Sequence, residues 1–134
     1  MVAGAVALAH HGLPRYTGDL DVWIRSSPEN ARRTLAALKD FGFGDIGLEA
    51  ADLSAAYQVI QLGFPPRRID LLTSLSGVSF EDAWSERAQA ECAGVRVAFI
   101  GAQALLRNKR ATGRTQDLAD AEGLARLLRE ALPK

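Results

Sequence analysis

The chain has 134 residues and carries 16 Lys and Arg against 16 Asp and Glu, so its formal net charge is zero, while 48% of its residues are hydrophobic. This length and composition suit one globular domain, residues 1–134, and exclude collagen-like, disordered and disulfide-stapled chains. Zero net charge excludes a global electrostatic field that would recruit nucleic acid or an anionic membrane, so any polyanionic partner must meet a local patch.

The apolar segments and the cysteine content bear on where the protein works. No apolar stretch approaches the roughly 20 residues of a transmembrane helix, so we expect no membrane partner. Residues 2–9 are apolar but lack the basic segment of a signal peptide, so we expect them to belong to the fold. The single cysteine, Cys92, cannot form an internal disulfide, and we expect it to be a buried small hydrophobic residue in a cytoplasmic protein.

The first predicted elements are a short helix and a loop. Residues 4–11 are rich in alanine and lie between Gly4 and Gly12, which predicts a helix that begins at a glycine able to let a ligand approach the backbone. Residues 13–18 then form a loop rich in turn residues. This loop carries Arg15 and Thr17, and Arg15 is either a phosphate ligand or a solvated loop residue.

The loop leads into a strand that carries two aspartates. Asp19 and Asp21 lie one residue apart at the start of an apolar, β-branched run, so they share one face of the strand while Leu20, Val22 and Ile24 share the other. Two carboxylates side by side on a rigid element are typical ligands of a hard divalent cation such as Mg²⁺. The segment therefore predicts a metal site.

Further along the chain, the pattern predicts one helix, one loop and two strands. Ser27 and Pro28 mark the start of a helix that ends at Gly42, and residues 43–56 are expected to form a loop over the site. Strands are predicted at residues 57–62 and 67–73. The second contains Asp70, which if buried requires a cation, a hydrogen-bond network or an ion pair with Arg67 or Arg68.

The last third of the chain predicts two short elements and two helices. A capped helix is expected at residues 79–84, a strand at 95–100, and helices from Gly101 and from about Thr115. Between the two helices lies a basic cluster, which is either a local anion site or a solvated run: Arg107, Lys109, Arg110 and Arg114. Asp117 and Asp120 fall in the first turn of the last helix, where the helix dipole favours acidic residues.

These elements predict an α/β fold of the α+β type, in which helices pack on a single mixed β-sheet. The strands are too few and too mixed for a doubly wound sheet, and neither a Walker loop nor a Rossmann glycine triplet is present. No serine, cysteine or histidine lies in a recognisable nucleophile motif, so covalent catalysis is not indicated.

The order of the motifs resembles the nucleotidyltransferase superfamily typified by DNA polymerase β. The shared pattern is a glycine that begins a helix, Asp-x-Asp on a strand, and a lone aspartate on a later strand. The runs HGLPRYTGDLDVWI, RIDLLTSLSGVSFEDAW and LLRNKRATGRTQDLAD are similar to small bacterial nucleotidyltransferases related to abortive-infection toxins of the AbiEii type and to minimal nucleotidyltransferases. The resemblance covers nearly the whole chain.

The resemblance implies a role for each matching residue. Asp19, Asp21 and Asp70 would be the catalytic residues and would bind two Mg²⁺ ions, with Mn²⁺ as an alternative; Asp70 would also help to deprotonate the attacking hydroxyl. The residues implied to surround the nucleotide are Gly4 and Ala5 at the triphosphate, Arg15 and Thr17 in the loop, Lys109, Arg110 and Arg114 as counter-charges, and Asp117 and Asp120, which would orient those bases or touch the nucleotide.

The implied function is the transfer of a nucleoside monophosphate from a nucleoside triphosphate to a hydroxyl of RNA, such as tRNA, or of a partner protein. A cognate toxin or antitoxin would be a further partner. The chain departs from the family in having Gly4-Ala5 where Gly-Gly or Gly-Ser is usual. The family also has a strand before that glycine, so we expect either a late start or a missing edge strand. The alternative is an inactive nucleotide-binding or interaction module of the same fold.

Overall fold

The computed structural model describes residues 1–132 and contains six strands and six helices in that part of the chain. The strands are β1 (Val2–Ala3), β2 (Asp19–Trp23), β3 (Val59–Leu62), β4 (Arg68–Leu72), β5 (Ala88–Cys92) and β6 (Val95–Phe99). The helices are α1 (Gly4–His10), α2 (Pro28–Phe41), α3 (Ala50–Ser54), α4 (Phe80–Ser85), α5 (Ala102–Thr112) and α6 (Thr115–Glu130). No helix among residues 1–132 has the length and apolar character needed to cross a membrane.

The six strands form one mixed sheet in the order β3-β4-β2-β1-β6-β5. β2 runs parallel to β4, and β1 runs parallel to β6, whereas the pairs β1 and β2, β3 and β4, and β5 and β6 are antiparallel. This arrangement confirms the predicted α+β class with helices packed on a single mixed sheet.

The helix boundaries follow the capping signals in the sequence. The Ser27 hydroxyl accepts a hydrogen bond from the Asn30 backbone N–H at 3.2 Å, and α2 ends where Gly42 adopts a left-handed conformation with φ of 106°. The Ser79 hydroxyl likewise accepts from the Asp82 backbone N–H at 3.2 Å at the start of α4. Helices α1, α2, α4, α5 and α6 were all predicted within a few residues of their observed bounds.

The strand that was expected to be missing is present in the middle of the sheet. Val2 and Ala3 pair with Val22 and Asp21 of β2, and Val2 also pairs with Phe99 of β6. The expectation of an absent edge strand is therefore wrong: two residues suffice because both neighbouring strands already flank them. The Trp23 backbone N–H donates to the Met1 carbonyl at 2.8 Å, which extends the pairing by one residue.

Two further elements, and the exposure of Cys92, differ from the sequence predictions. Residues 50–54 form the helix α3, whose Leu53 is fully buried against α2, so the segment expected as a loop over the site packs on the opposite face of the sheet. β5 was not predicted, because its sequence AQAEC has little β-branched character. Cys92 ends this strand and is exposed, so the expectation of a buried thiol is wrong.

The two faces of the sheet have separate cores. One core packs α1, α5 and α6 on the sheet and includes Leu8, Trp23, Leu105 and Leu124. The other packs α2 and α3 on the opposite face and includes Ile24, Leu38, Leu53 and Leu71. Because side chains alternate along a strand, the apolar face of β2 joins the α2 core, and its aspartates lie on the face that carries α1, α5 and α6.

Candidate active site

The three predicted catalytic aspartates lie on two neighbouring parallel strands. Asp21 of β2 is the register partner of Asp70 of β4, and Asp19 is the register partner of Arg68. Neighbouring strands are about 4.8 Å apart, so side chains at paired positions on one face are direct neighbours. Asp70 is buried, with 7% of its surface exposed. The structure therefore brings together the carboxylates that the sequence placed on separate strands.

Arg68 lies between two of these carboxylates. Its Nη2 donates to Asp19 Oδ2 at 2.8 Å and to Asp70 Oδ2 at 3.1 Å, and its Nε donates to Asp70 Oδ1 at 2.9 Å. The hydrogen bond to Asp70 raises the pKa of the Arg68 guanidinium, so it stays charged. Of the cations that the sequence offered as partners for Asp70, the structure uses Arg68.

The third carboxylate, Asp21, packs against the first residue of α1. Gly4 has φ of +62°, and a Cβ atom built on it would lie 2.1 Å from Asp21 Oδ2. Only glycine fits at this position, both because of its conformation and because the carboxylate occupies the space of a side chain. Burial raises the pKa of Asp21, and the charges of Asp70 and Asp19 raise it further, against the opposing effect of Lys109 and Arg68.

The donor set has the chemistry of a hard-cation site, but its side chains are not in a metal-binding arrangement. Within residues 1–132, no group of three His, Cys, Asp or Glu side chains is placed to hold one metal ion. Arg68 already binds Asp19 and Asp70. Three carboxylates on one face of the sheet fit Mg²⁺ by ligand type. Binding would require the Arg68 guanidinium to move aside.

Asp19, Asp21, Asp70 and Arg68 form the first charged cluster. A second charged cluster joins α5 and α6 with the loop before β2. Lys109 is buried at 6% exposure, and its Nζ lies 3.4 Å from Asp117 Oδ1 and 3.2 Å from Asp120 Oδ2. Arg15 Nη1 reaches the two oxygens of Asp120 at 2.7 and 2.8 Å. Arg114 Nε donates to Asp117 Oδ2 at 2.6 Å. We call these five residues the ion-pair cluster; its two arginines reach the surface, whereas Lys109, Asp117 and Asp120 are buried.

The ion-pair cluster contains a carboxyl group, that of Asp117, whose pKa is strongly lowered. Burial alone would raise the pKa of Asp117, but hydrogen bonds from Arg114 and Thr112 and the charge of Lys109 outweigh it and lower this pKa to about 2. The charge of Lys109 also acts to lower the pKa of Asp21. Lys109 therefore links the two charged clusters electrostatically.

Three of the four basic residues in the cluster after residue 106 form ion pairs with acids in the structure. Arg107 forms an ion pair with Glu86 at 2.5 Å, while Lys109 and Arg114 are satisfied by aspartates. Arg110 is exposed, and no ion pair involves it within residues 1–132. Arg107 pairs with an acid 21 residues away, whereas Arg114 pairs with Asp117 three residues further along the chain.

The remaining predicted residues have mainly backbone roles in the structure. The Thr17 hydroxyl accepts from the Asp19 backbone N–H at 3.2 Å, which fixes the chain where β2 begins. Ala5 is the second residue of α1, next to Gly4. Arg15 binds Asp120 and so connects the loop before β2 with α6.

Sequence reasoning missed a group of exposed aromatic residues near the first charged cluster. Tyr16 and Phe64 are each 86% exposed, and Phe41 is 68% exposed. The available signal was the placement of large aromatic residues beside Pro14, Gly63 and Gly42, where turns carry side chains out of the core.

Neither the protein-family models nor the curated proteins contain a match to this chain. Assignment of a function therefore depends on the residues of the two charged clusters and on the surface beside them.

Proposed function

We propose that the protein is a metal-dependent nucleotidyltransferase that moves a nucleoside monophosphate from a nucleoside triphosphate to a hydroxyl of RNA or of a partner protein. The observation that carries this proposal is the register of β2 and β4, which places Asp21 opposite Asp70 with Asp19 on the same face. Three carboxylates on adjacent strands have no role in packing a sheet, and they suit a pair of divalent cations.

Each residue of the site has a task in this reaction. When bound, Mg²⁺ would neutralise phosphate charge and stabilise the attacking and leaving oxygens. Asp70, buried between the strands, would accept the proton of the attacking hydroxyl, and Asp19 and Asp21 would complete the cation ligands. Lys109 lies on α5 and its charge lowers the pKa of Asp21, so it would supply counter-charge to the departing pyrophosphate.

Arg68 gives the proposed enzyme a stable form without metal. Its guanidinium neutralises Asp19 and Asp70, which would otherwise repel each other and Asp21. With a divalent cation held by Asp19, Asp21 and Asp70, the Arg68 guanidinium would be free to donate forked hydrogen bonds to phosphate oxygens. Arg68 would then bind substrate as a consequence of metal loading.

The test is nucleotidyl transfer with α-labelled nucleoside triphosphates, Mg²⁺ and a cell extract as the source of acceptor. The wild type should label an RNA or a protein, whereas Asp19→Ala and Asp70→Asn should not. Asp40→Asn, an exposed residue of α2, is the matched control and should retain transfer. Absence of transfer by the wild type, or transfer that survives Asp19→Ala, would count against the proposal.

A second candidate is an inactive module that binds nucleotide or a partner protein, such as one half of a toxin and antitoxin pair. The observation that favours it is the occupation of Asp19 and Asp70 by Arg68, together with the lack of a three-ligand metal arrangement within residues 1–132. This module would bind nucleotide equally well with and without Mg²⁺ and would give no labelled product. Copurification of a stable partner without transfer would support it.

A further inference from the structure

A cavity of about 770 Å³ lies between α2 and α4. It is lined by apolar residues of β2 and β4, by one side of α2 and by two aromatic residues of α4, whereas Asp19, Asp21 and Asp70 do not line it. Pockets that bind small organic molecules have volumes of about 300–1,000 Å³ and mainly apolar walls with a few polar groups. The cavity therefore has the size and the lining of a small-molecule site that is separate from the carboxylates.

Three aromatic side chains of the cavity wall contact one another. The Phe80 ring meets Trp23 edge to face, with ring centroids 5.1 Å apart, and stacks on Trp84 with centroids 5.9 Å apart. All three residues line the cavity, and Trp23 and Trp84 are the two tryptophans of the chain. Aromatic rings attract other flat rings through offset stacking and edge-to-face contacts. This wall therefore favours a flat aromatic ligand.

Two buried hydrogen-bond donors of this aromatic group lack a partner. Within residues 1–132, Trp23 Nε1 and Arg87 Nε are the buried side-chain nitrogen or oxygen atoms without a hydrogen bond. Trp23 is 1% exposed and lines the cavity, and the Arg87 guanidinium lies over the Trp84 ring, 4.0 Å from its centroid. Because an unpaired buried donor is unfavourable, native proteins provide an acceptor for nearly all of them. An acceptor on a ligand in the cavity would supply the partner that Trp23 lacks.

The charges around the cavity favour an anionic ligand. Arg33 of α2 lines the cavity, is exposed, and forms no ion pair with another residue of the described chain, 1–132. Arg25 also lines the cavity, but Glu81 and the Phe80 ring already hold its guanidinium. No Asp or Glu of residues 1–132 lines the cavity. Since a guanidinium donates forked hydrogen bonds to a carboxylate, Arg33 is suited to bind one.

We propose that the cavity between α2 and α4 binds an aromatic carboxylate, with its ring beside Trp23, Phe80 and Trp84 and its carboxylate at Arg33. A peptide helix is the other occupant that an apolar groove beside a helix accepts. The unpaired indole N–H argues against it, because the apolar face of a helix offers no acceptor: its carbonyls are bonded within the helix. The inference does not depend on the proposed function, since none of the three aspartates lines this cavity.

The test is calorimetric titration of the full chain with naphthoate, and with the uncharged naphthamide as a matched probe. Naphthoate should bind the wild type about tenfold more tightly than naphthamide, the effect of one charge-assisted hydrogen bond. Arg33→Gln should remove this preference by weakening naphthoate alone. Arg32→Gln is the control, because Arg32 is the neighbouring exposed arginine and does not line the cavity. Ala37→Leu should weaken both probes, because Ala37 lines the cavity and a larger side chain takes up its space.

Nuclear magnetic resonance of the indole N–H groups places the ligand. The chain has two tryptophans, so two indole signals are expected, and Trp84→Phe assigns them. On saturation with naphthoate the Trp23 indole proton should move downfield, because its N–H gains an acceptor, and the shift should be the same with and without Mg²⁺.

Several results would overturn this inference. One is the lack of saturable naphthoate binding, and another is equal affinity of the wild type for naphthoate and naphthamide. A Trp23 indole signal that stays in place at saturation would show that the ligand binds elsewhere. Equal losses in Arg33→Gln and Arg32→Gln would show that no charge at the cavity recognises the carboxylate. Binding of an amphipathic helical peptide beside α2, with no binding of naphthoate, would assign the cavity to a peptide partner instead.

Discussion

Replacing Gly4 with alanine tests how tightly the start of α1 is fitted to Asp21. At φ of +62° an L-residue is strained, which costs about 1–2 kcal/mol. The new Cβ atom would also lie 2.1 Å from Asp21 Oδ2 and 2.9 Å from Cγ, so the carboxylate must leave its place. Overpacking of this kind costs about 1–3 kcal/mol. We therefore expect Gly4→Ala to lower the free energy of unfolding by about 2–5 kcal/mol, the sum of these two costs.

Urea denaturation measures this loss, and Gly47→Ala is the matched control. Gly47 has φ of +75°, and nothing lies within 4 Å of its built Cβ atom, so its variant should lose only the conformational cost. In an Asp21→Ala background the cost of Gly4→Ala should fall toward the Gly47→Ala value, because the clashing oxygen is gone. If Gly4→Ala costs no more than Gly47→Ala, or if the two substitutions show no coupling, the close fit of Asp21 on Gly4 is refuted.

Three further predictions concern charges. Arg68→Met should lower the melting temperature in the absence of metal. It should also strengthen Mn²⁺ binding about tenfold, because the charge-assisted hydrogen bond from Arg68 to Asp19 no longer competes with the ion. Calorimetry measures both quantities. Lys109→Met should lower the free energy of unfolding in urea by about 3 kcal/mol, because Asp117 and Asp120 lose a buried partner. The pKa of Asp117 is 3.8 in the unfolded chain and about 2 in the fold, so its ionisation should add about 2 kcal/mol to the free energy of unfolding above pH 3.8. This contribution should be lost as the pH falls toward 2. Acid titration of Asp117→Asn should not show that loss.

Each of these three has an internal control. Arg67→Met removes an exposed neighbouring arginine and should leave Mn²⁺ affinity unchanged; equal gains in both variants would contradict competition by Arg68. Lys39→Met, on the exposed face of α2, should cost less than about 1 kcal/mol. If Lys109→Met costs no more than that, its ion pairs are not stabilising. An acid transition of Asp117→Asn identical to that of the wild type would contradict the role given to this carboxyl.

The sequence was informative where local rules decide the structure. Ser27, Pro28 and Gly42 bound α2 as capping chemistry requires, and the alternation around Asp19 and Asp21 correctly placed their apolar neighbours in the other core. The β1 strand could not be found this way, because its two residues owe their conformation to β2 and β6 on either side. Tertiary pairing, not propensity, makes Val2 and Ala3 a strand.

The sequence predicted which residues are in the site better than it predicted which residues lie opposite each other or form ion pairs. Asp70 stood out as an acid in an apolar strand, but its register with Asp21 depends on which strands become neighbours. The basic residues after position 106 were visible as a cluster, yet Lys109 is paired with Asp117 and Asp120 across a turn between two helices. Spacing along the chain does not reveal such partners, since a helix sends nearby residues in different directions.

In the proposed function, the aspartates of β2 and β4 hold a divalent cation that carries a nucleotide. This can be measured by calorimetric titration of a non-hydrolysable nucleoside triphosphate, with Mg²⁺ and then with a chelator. We expect binding that requires Mg²⁺ in the wild type and in Asp40→Asn, and that is lost in Asp21→Asn and Asp70→Asn, which lie opposite each other in the sheet. Nucleotide binding of equal strength with and without Mg²⁺, unaffected by either aspartate substitution, would contradict the claim.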